Sequence, residues 1–329
     1  MKPTEIISAI QATGKARAPL YLWGAPGVGK TACVTEAALS AGLRLVTLRA
    51  NLLEPVDVLG LPTPHEDGET VRWLRPDFLP TSGEGLLFID EFAQAPQATQ
   101  CALMRLVDHL PDGWHVIAAS NRSTDRAGAG QVATHVLDRF THVNFDVSRE
   151  DWQRWAANAG IRPEVRGFID FRPGLLFQFD AASRQNDRAG CSPRSWHRAS
   201  RILANCPEAI RFELLSGTIG QGPAAEFAGF LRIFEQCPNP DAILAAPDTT
   251  PIPSEPSALF AVCAALADRA KSLAAPKLES LVRYLARLPV EFGALLMTDC
   301  LAVAPSALMV PSAGAWITQH RDIFANSRK

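Results

Sequence analysis

Charge of one sign is missing from this sequence: 32 Lys and Arg stand against 34 Asp and Glu, a net of −2 at neutral pH. Bulk charge therefore gives no grounds for a polyanion-binding protein, and there is no dense Lys/Arg run. Long apolar runs are missing as well. None reaches the roughly 18 residues of a membrane span. The start, Met1-Lys2-Pro3-Thr4-Glu5, lacks the basic-then-apolar order of a secretory leader, so the expected location is the cytoplasm. The seven cysteines (Cys33, Cys101, Cys191, Cys206, Cys237, Cys263 and Cys300) form no Cys-x-x-Cys pair, which argues against a zinc ribbon and a disulfide framework. The seven histidines are equally scattered, and both residue types read as packing or surface positions. No tandem repeat is present. What remains is an ordinary globular composition, 47% hydrophobic and 20% charged over 329 residues, enough for about two domains at roughly 150 residues each.

The first half alternates strands and helices. Apolar residues at 6, 7 and 10 predict a short amphipathic helix over Thr4 to Thr13. Pro19 to Trp23 is a compact apolar run of the kind a buried parallel strand shows, Lys30 to Ala41 reads as a helix, and Leu43 to Leu48 as a second strand. Residues 50 to 85 are irregular and proline-rich, with a hairpin expected around Val71-Arg72-Trp73-Leu74; so long an irregular stretch inside a domain is usually functional. Further strands are expected at Gly85 to Ile89, Trp114 to Ala119 and Thr141 to Phe145, with a helix over Pro96 to Leu110. From Asp151 only helical patterns remain. The sequence thus predicts an α/β core over 1–149 and a helical lid over 150–237. A stiff proline-rich linker is expected over 238–256, where Pro247, Pro251, Pro253 and Pro256 crowd together, and a helical C-terminal segment over 257–329.

Gly24-Ala25-Pro26-Gly27-Val28-Gly29-Lys30-Thr31 satisfies G-x-x-x-x-G-K-[ST], after a buried strand and at the start of a helix. Its glycines let successive N–H groups converge on phosphate oxygens, and the helix N-terminus adds a positive dipole end. Lys30 supplies a point charge for β and γ phosphates, and the Thr31 hydroxyl is a hard oxygen ligand suited to Mg²⁺. Leu86-Leu87-Phe88-Ile89-Asp90-Glu91 then sets two carboxylates at the carboxyl end of a buried strand, where ligands sit in open α/β sheets. Asp90 is expected to face the metal, and Glu91 to act as general base on the attacking water.

With these motifs the chain resembles the AAA+ ATPases, and within them the MoxR-like branch. The resemblance rests on an ordered series covering residues 1 to about 205: GAPGVGKT at 24–31, LLFIDE at 86–91, AASN at 118–121, LDRF at 137–140 and SPRSW at 192–196. It implies a doubly wound parallel-sheet P-loop core with a C-terminal all-helical lid and a further helical tail. It also implies ATP as the nucleotide, Mg²⁺ as its metal, and assembly into a ring, usually hexameric, with ATP between subunits. Such proteins act as remodelling chaperones or activators, commonly with a partner carrying a von Willebrand factor A domain. By the same resemblance Asn121 looks like the sensor that positions the attacking water, although an amide at a strand end is also a simple turn former. Arg139 looks like the finger given to the neighbouring subunit's nucleotide, with a surface ion pair to Asp138 as the alternative. Arg194 looks like the lid sensor of the γ-phosphate. Arg198 and Arg201, further along the same helix face, rival it, and Arg122 and Arg126 are candidates for interface contacts.

Residues 52–82 fit the family's first pore-facing insertion. The Pro111-Asp112-Gly113 connection is too short for the second. Trp73 and Phe78 are candidates for substrate contact, against ordinary packing of the insert onto the core, while Trp152 and Trp155 read as a core-facing edge of the lid. Two other functional classes stay in view. One is a nucleic-acid motor or clamp-type ATPase, which the charge balance argues against; the other is a slow nucleotide-controlled scaffold whose mark would be partner-stimulated turnover.

Overall fold

The computed structural model describes residues 1–66, 68–122, 125, 130, 132–179 and 189–326. The chain divides into two compact units with the boundary between Ser148 and Arg149.

In the first unit, helix α1 (Pro3–Lys15) precedes strand β1 (Leu20–Trp23), helix α2 (Lys30–Ala41) and strand β2 (Arg44–Arg49). A short helix α3 (Pro55–Leu59) leads into an antiparallel hairpin of β3 (Leu61–Pro64) and β4 (Val71–Leu74), at the position the sequence predicts. Strand β5 (Gly85–Asp90), helix α4 (Gln97–His109), strand β6 (Trp114–Ser120), the single turn α5 (Thr134–Leu137) and strand β7 (Thr141–Asn144) complete the unit. The five long-range strands form one parallel sheet in the order β2-β5-β6-β1-β7.

Near-continuous apolar strands follow from burial on both faces. Alternate side chains Tyr21, Leu87, Ile89, Val116 and Ala118 join Phe92, Leu103 and Phe140 in one core, on the side of α4 and α5. Their neighbours Leu20, Leu22, Leu86, Phe88 and Ile117 are also buried and face the opposite side, where α1 and α2 pack on the sheet. The order of strands matters for function: β5, β6 and β1 are successive neighbours, so the segments that extend beyond them leave the same edge of the sheet side by side.

The second unit is helical: α6 (Arg149–Asn158), α7 (Pro163–Phe171), α8 (Pro193–Asn205), α9 (Glu208–Ile219), α10 (Gln221–Gln236), α11 (Pro240–Ala245), α12 (Pro256–Ala270), α13 (Ala275–Leu285), α14 (Val290–Val303), α15 (Pro311–Gln319) and α16 (Arg321–Asn326). Aromatic rings knit it together, with Phe168 against Trp196, Phe227 and Phe230, and Phe260 against Phe171 and Phe292. Within this unit the later helices pack on the earlier ones: α12 lies on α7, and α14 on α6. Gly167 permits the first contact, since a Cβ there would come within 3.0 Å of Ala264 Cβ and 3.2 Å of the Phe260 carbonyl. Trp152 is buried, and Trp155 sets its ring edge-on to His197.

Residues 238–256 are not an extended linker. They contain α11, whose Ile243 and Leu244 are fully buried in the same core as α12 to α15, with Ile252 packed against it. Tyr284 Oη donates to the Pro251 carbonyl and the Arg287 guanidinium to the Thr250 carbonyl, so the prolines shape a strap held against the helices. The cluster of prolines signals stiffness correctly, but composition does not say what the stiff segment lies against. Among the described residues, no helix is long and apolar enough to cross a membrane.

Candidate functional site

The loop Gly24–Gly29 joins β1 to α2 and needs two residues with positive φ, which Gly27 (77°) and Gly29 (112°) supply. With Gly29 as the residue preceding α2, the first N–H groups of a twelve-residue helix open onto the loop. Lys30 is buried at the start of that helix. Its ammonium is folded back onto the loop and donates to the Gly24 carbonyl at 2.6 Å, the Ala25 carbonyl at 3.2 Å and Asn121 Oδ1 at 3.1 Å. A buried cation requires such partners. These three are neutral oxygens, weaker for an ammonium than phosphate oxygens carrying formal charge.

Parallel pairing carries the remaining groups to the same place. Asp90 ends β5, Asn121 comes directly after β6, and the Thr31 hydroxyl donates to Asp90 Oδ2 at 2.9 Å. Of the sequence-predicted residues, Gly24, Ala25, Pro26, Gly27, Val28, Gly29, Lys30, Thr31, Asp90, Glu91 and Asn121 are thus brought together at the carboxyl edge of one sheet. Glu91 has an unusual backbone. It sits in the left-handed region (φ 57°, ψ 35°), which for a residue with a Cβ costs about 1 kcal/mol or more. The conformation is held by its own N–H, which donates to Asp90 Oδ1 at 3.0 Å, and by the N–H of Gln94, which donates to the Glu91 carbonyl at 3.0 Å.

Thr31 Oγ1 and Asp90 Oδ2 are hard oxygens converged beside the phosphate loop, and this donor chemistry fits Mg²⁺.

The predicted arginines lie on several elements. Arg139, two residues past the end of α5, forms an ion pair with Asp108 of α4, a partner the sequence does not announce because it lies on another helix rather than next in the chain. Arg122 donates from its side chain to the Phe145 carbonyl at 3.1 Å and from its backbone to Asp125 at 2.9 Å. Arg126 lies outside the described residues. Arg194, Arg198 and Arg201 belong to the second unit and are exposed along one face of α8, whose start is fixed by Ser192 and Ser195 in a reciprocal capping box. In the hairpin region Phe78 packs against the core, whereas Trp73 is exposed.

Two residues at the site are given no role by the sequence motifs: Ser120, which lies inside AASN, and Tyr21. Ser120 is buried, with its hydroxyl 2.7 Å from that of Tyr21 and accepting the Ala93 N–H at 2.8 Å. The available signal is a hydroxyl in each of two otherwise apolar strands, Leu20-Tyr21-Leu22 and Ala118-Ala119-Ser120.

Residues 20–145 match the family described as "ATPase family associated with various cellular activities (AAA)". Over 155 residues, 42% of the chain, the sequence is 30% identical to a Giardia intestinalis protein named midasin; the chain covers 3% of that relative's length. Among solved structures, the Thermotoga maritima RuvB Holliday junction branch migration motor is similar at 16% identity over 85% of this chain and 86% of that one, with a TM-score of 0.39. Brucella abortus NtrX in complex with ADP is similar at 13% identity over 98% of this chain and 67% of that one, with a TM-score of 0.37.

Proposed function

We propose that this chain, which carries an AAA ATPase domain over residues 20–145, is a cytoplasmic Mg²⁺-dependent ATP hydrolase that assembles into a ring, hexameric by its resemblance to MoxR-like proteins, and remodels other proteins. The observation that supports it most is the convergence of Lys30 with Asn121 and of Thr31 with Asp90 at one strand edge. In this reading the N–H groups of Gly27, Val28 and Gly29 cradle the phosphates, and Lys30 exchanges carbonyl oxygens for β and γ phosphate oxygens. Thr31 and Asp90 would hold Mg²⁺, which when bound offsets the charge of the phosphates. Glu91 accepts a proton from water as its oxygen attacks the γ-phosphorus; the bond to the β–γ bridging oxygen breaks and ADP departs. Asn121, with its amide oxygen on Lys30, offers its N–H₂ to the water or the γ-phosphate.

Arg139 completes the site of a neighbouring subunit, and assembly exchanges its carboxylate partner Asp108 for that nucleotide. Arg194 reports lid position, with Arg198 and Arg201 sharing its face. The ordered motifs that resemble the MoxR-like branch also support a partner with a von Willebrand factor A domain. The net charge of −2 supports a protein substrate over nucleic acid.

The test is the solution mass of Glu91→Gln with and without Mg²⁺-ATP, since this change retains binding and slows hydrolysis. A shift to about six subunits is the expected result. A protein that binds ATP yet stays monomeric at every concentration would remove the ring and the role of Arg139 in a neighbouring site, leaving a partner-dependent switch. Salt-sensitive DNA binding would favour the nucleic-acid alternative.

A further inference from the structure

Ser120 touches three segments at once. Its carbonyl accepts the Gly24 N–H at 3.2 Å, at the start of the phosphate loop. Its hydroxyl accepts the Ala93 N–H at 2.8 Å, within the 3-10 turn Phe92–Gln94 that comes directly after Glu91. Its own chain continues into Asn121. The hydroxyl is held in turn by Tyr21, whose ring is fixed by stacking on Trp23 at 4.3 Å and by edge contacts with Phe92 and Phe140. Ser120 is 1% exposed, Ala93 1% and Tyr21 fully buried, so water cannot replace any of these bonds.

Glu91 lies in a backbone region that a residue with a Cβ rarely adopts, so its conformation must be imposed by its neighbours in the chain. The 3-10 turn supplies one hold through the Gln94 N–H; the turn is tied to the sheet by the Ser120 hydroxyl, alongside the buried Phe92 ring and the Gly130 N–H on the Ala93 carbonyl. We infer that Ser120, braced by Tyr21, is a positioning residue for hydrolysis: its hydroxyl sets the turn after Glu91, and so aims the Glu91 carboxylate, relative to the phosphate loop and Asn121. The inference rests on the roles proposed above for Glu91 and Asn121. A positioning residue acts on the chemical step, where displacements near 1 Å matter, more than on nucleotide affinity, which the loop and Lys30 govern.

The experiment is steady-state ATP hydrolysis and ADP binding for the full chain and three variants. Ser120→Ala orphans the Ala93 N–H and is expected to lower kcat by about tenfold while KM and the ADP Kd stay within about twofold. Ser120→Thr keeps the hydroxyl and restores most of the rate. Tyr21→Phe removes the brace but not the Ala93 bond, and lowers kcat by about two- to threefold. Wild-type kcat in Ser120→Ala overturns the inference, as does a parallel loss of affinity, rate and thermal stability that Thr fails to rescue. If Ser120→Ala does not fold, unchanged kcat in Tyr21→Phe overturns it. A wild-type chain without turnover in its assembled state would instead sink the hydrolysis reading itself.

Discussion

In the first unit Lys30, Asp90 and Asn121 stand where strands and loops meet, and the buried ammonium donates to two backbone carbonyls and an amide. In the second unit ionic groups sit inside the helical packing and are paired with one another: Arg166 of α7 with Asp299 of α14 at 3.5 Å, and Arg149 of α6 with Asp170 of α7 at 3.5 Å. Gln153 closes the group, donating to the Arg166 carbonyl at 2.8 Å. The contrast separates two uses of a buried charge. The carbonyls and the amide that accept from Lys30 are weaker acceptors for an ammonium than phosphate oxygens carrying formal charge. Arg166 and Asp299 are held against each other between helices, and removing the arginine alone leaves a buried carboxylate without its partner.

The largest effect that would sharpen this contrast is in the second unit. Arg166→Ala leaves Asp299 buried without its partner and is expected to destabilise that unit by about 3–5 kcal/mol. Urea denaturation measures it; a loss below about 1 kcal/mol would mean the pair is dispensable. In the first unit Lys30→Ala is expected to do the reverse, lowering nucleotide turnover by about a hundredfold or more. Its thermal midpoint is expected to move much less than that of Arg166→Ala. A large drop in midpoint would show that Lys30 holds the empty loop together.

The two regions also differ in how far they can be read from sequence. The strands around the phosphate loop are legible because their charged residues are announced locally: GAPGVGKT, LLFIDE and AASN each place the polar group directly after an apolar run, and parallel strand order does the rest. Arg166, Asp170 and Asp299 carry no such mark. On α7 and α14 they look like ordinary solvated charges, and the packing of α14 on α6 and of α12 on α7 brings them inside. The strap at 238–256 escapes for a related reason: its prolines fix local stiffness, but burial of Ile243 and Leu244 depends on helices some tens of residues later. Asp108, the partner of Arg139, is likewise a contact between elements, not within one.

A smaller effect tests the buried ions by pH. The Asp170 carboxyl is raised from its ordinary value to about 7, first by burial and then by the like charge of Asp299, with Arg149, Gln153 and Arg166 working the other way. Asp299 is raised too, chiefly by burial. A carboxyl with a raised native pKa binds its proton more tightly folded than unfolded, so its contribution is fully present below the unfolded value near 4 and is lost as pH rises through about 7. Stability should therefore fall from pH 5 to pH 8. Asp170→Asn, which mimics the protonated acid, should flatten that fall and exceed the wild type at pH 8 by on the order of 2 kcal/mol. A wild-type stability that rises over the same range would contradict the assignment.

The smallest effect concerns apolar side chains, where the first unit departs from the rule that large ones are packed. Trp73 is 52% exposed on β4, with Leu61, Val71 and Leu74 of the same hairpin also exposed, while Phe78 a few residues on packs against the core. The sequence admits either packing or substrate contact for both residues, and the two separate. Trp73→Ala should change stability by no more than about 0.5 kcal/mol, because little area is removed from contact with protein. Phe78→Ala should cost about 1–2 kcal/mol through the packing it loses. If Trp73→Ala leaves basal hydrolysis intact but lowers the stimulation of turnover by an unfolded protein substrate, the exposed indole has a role that its packing does not require. If Trp73→Ala destabilises as much as Phe78→Ala, the hairpin is closed against the core in solution and its apolar face is not available to any partner.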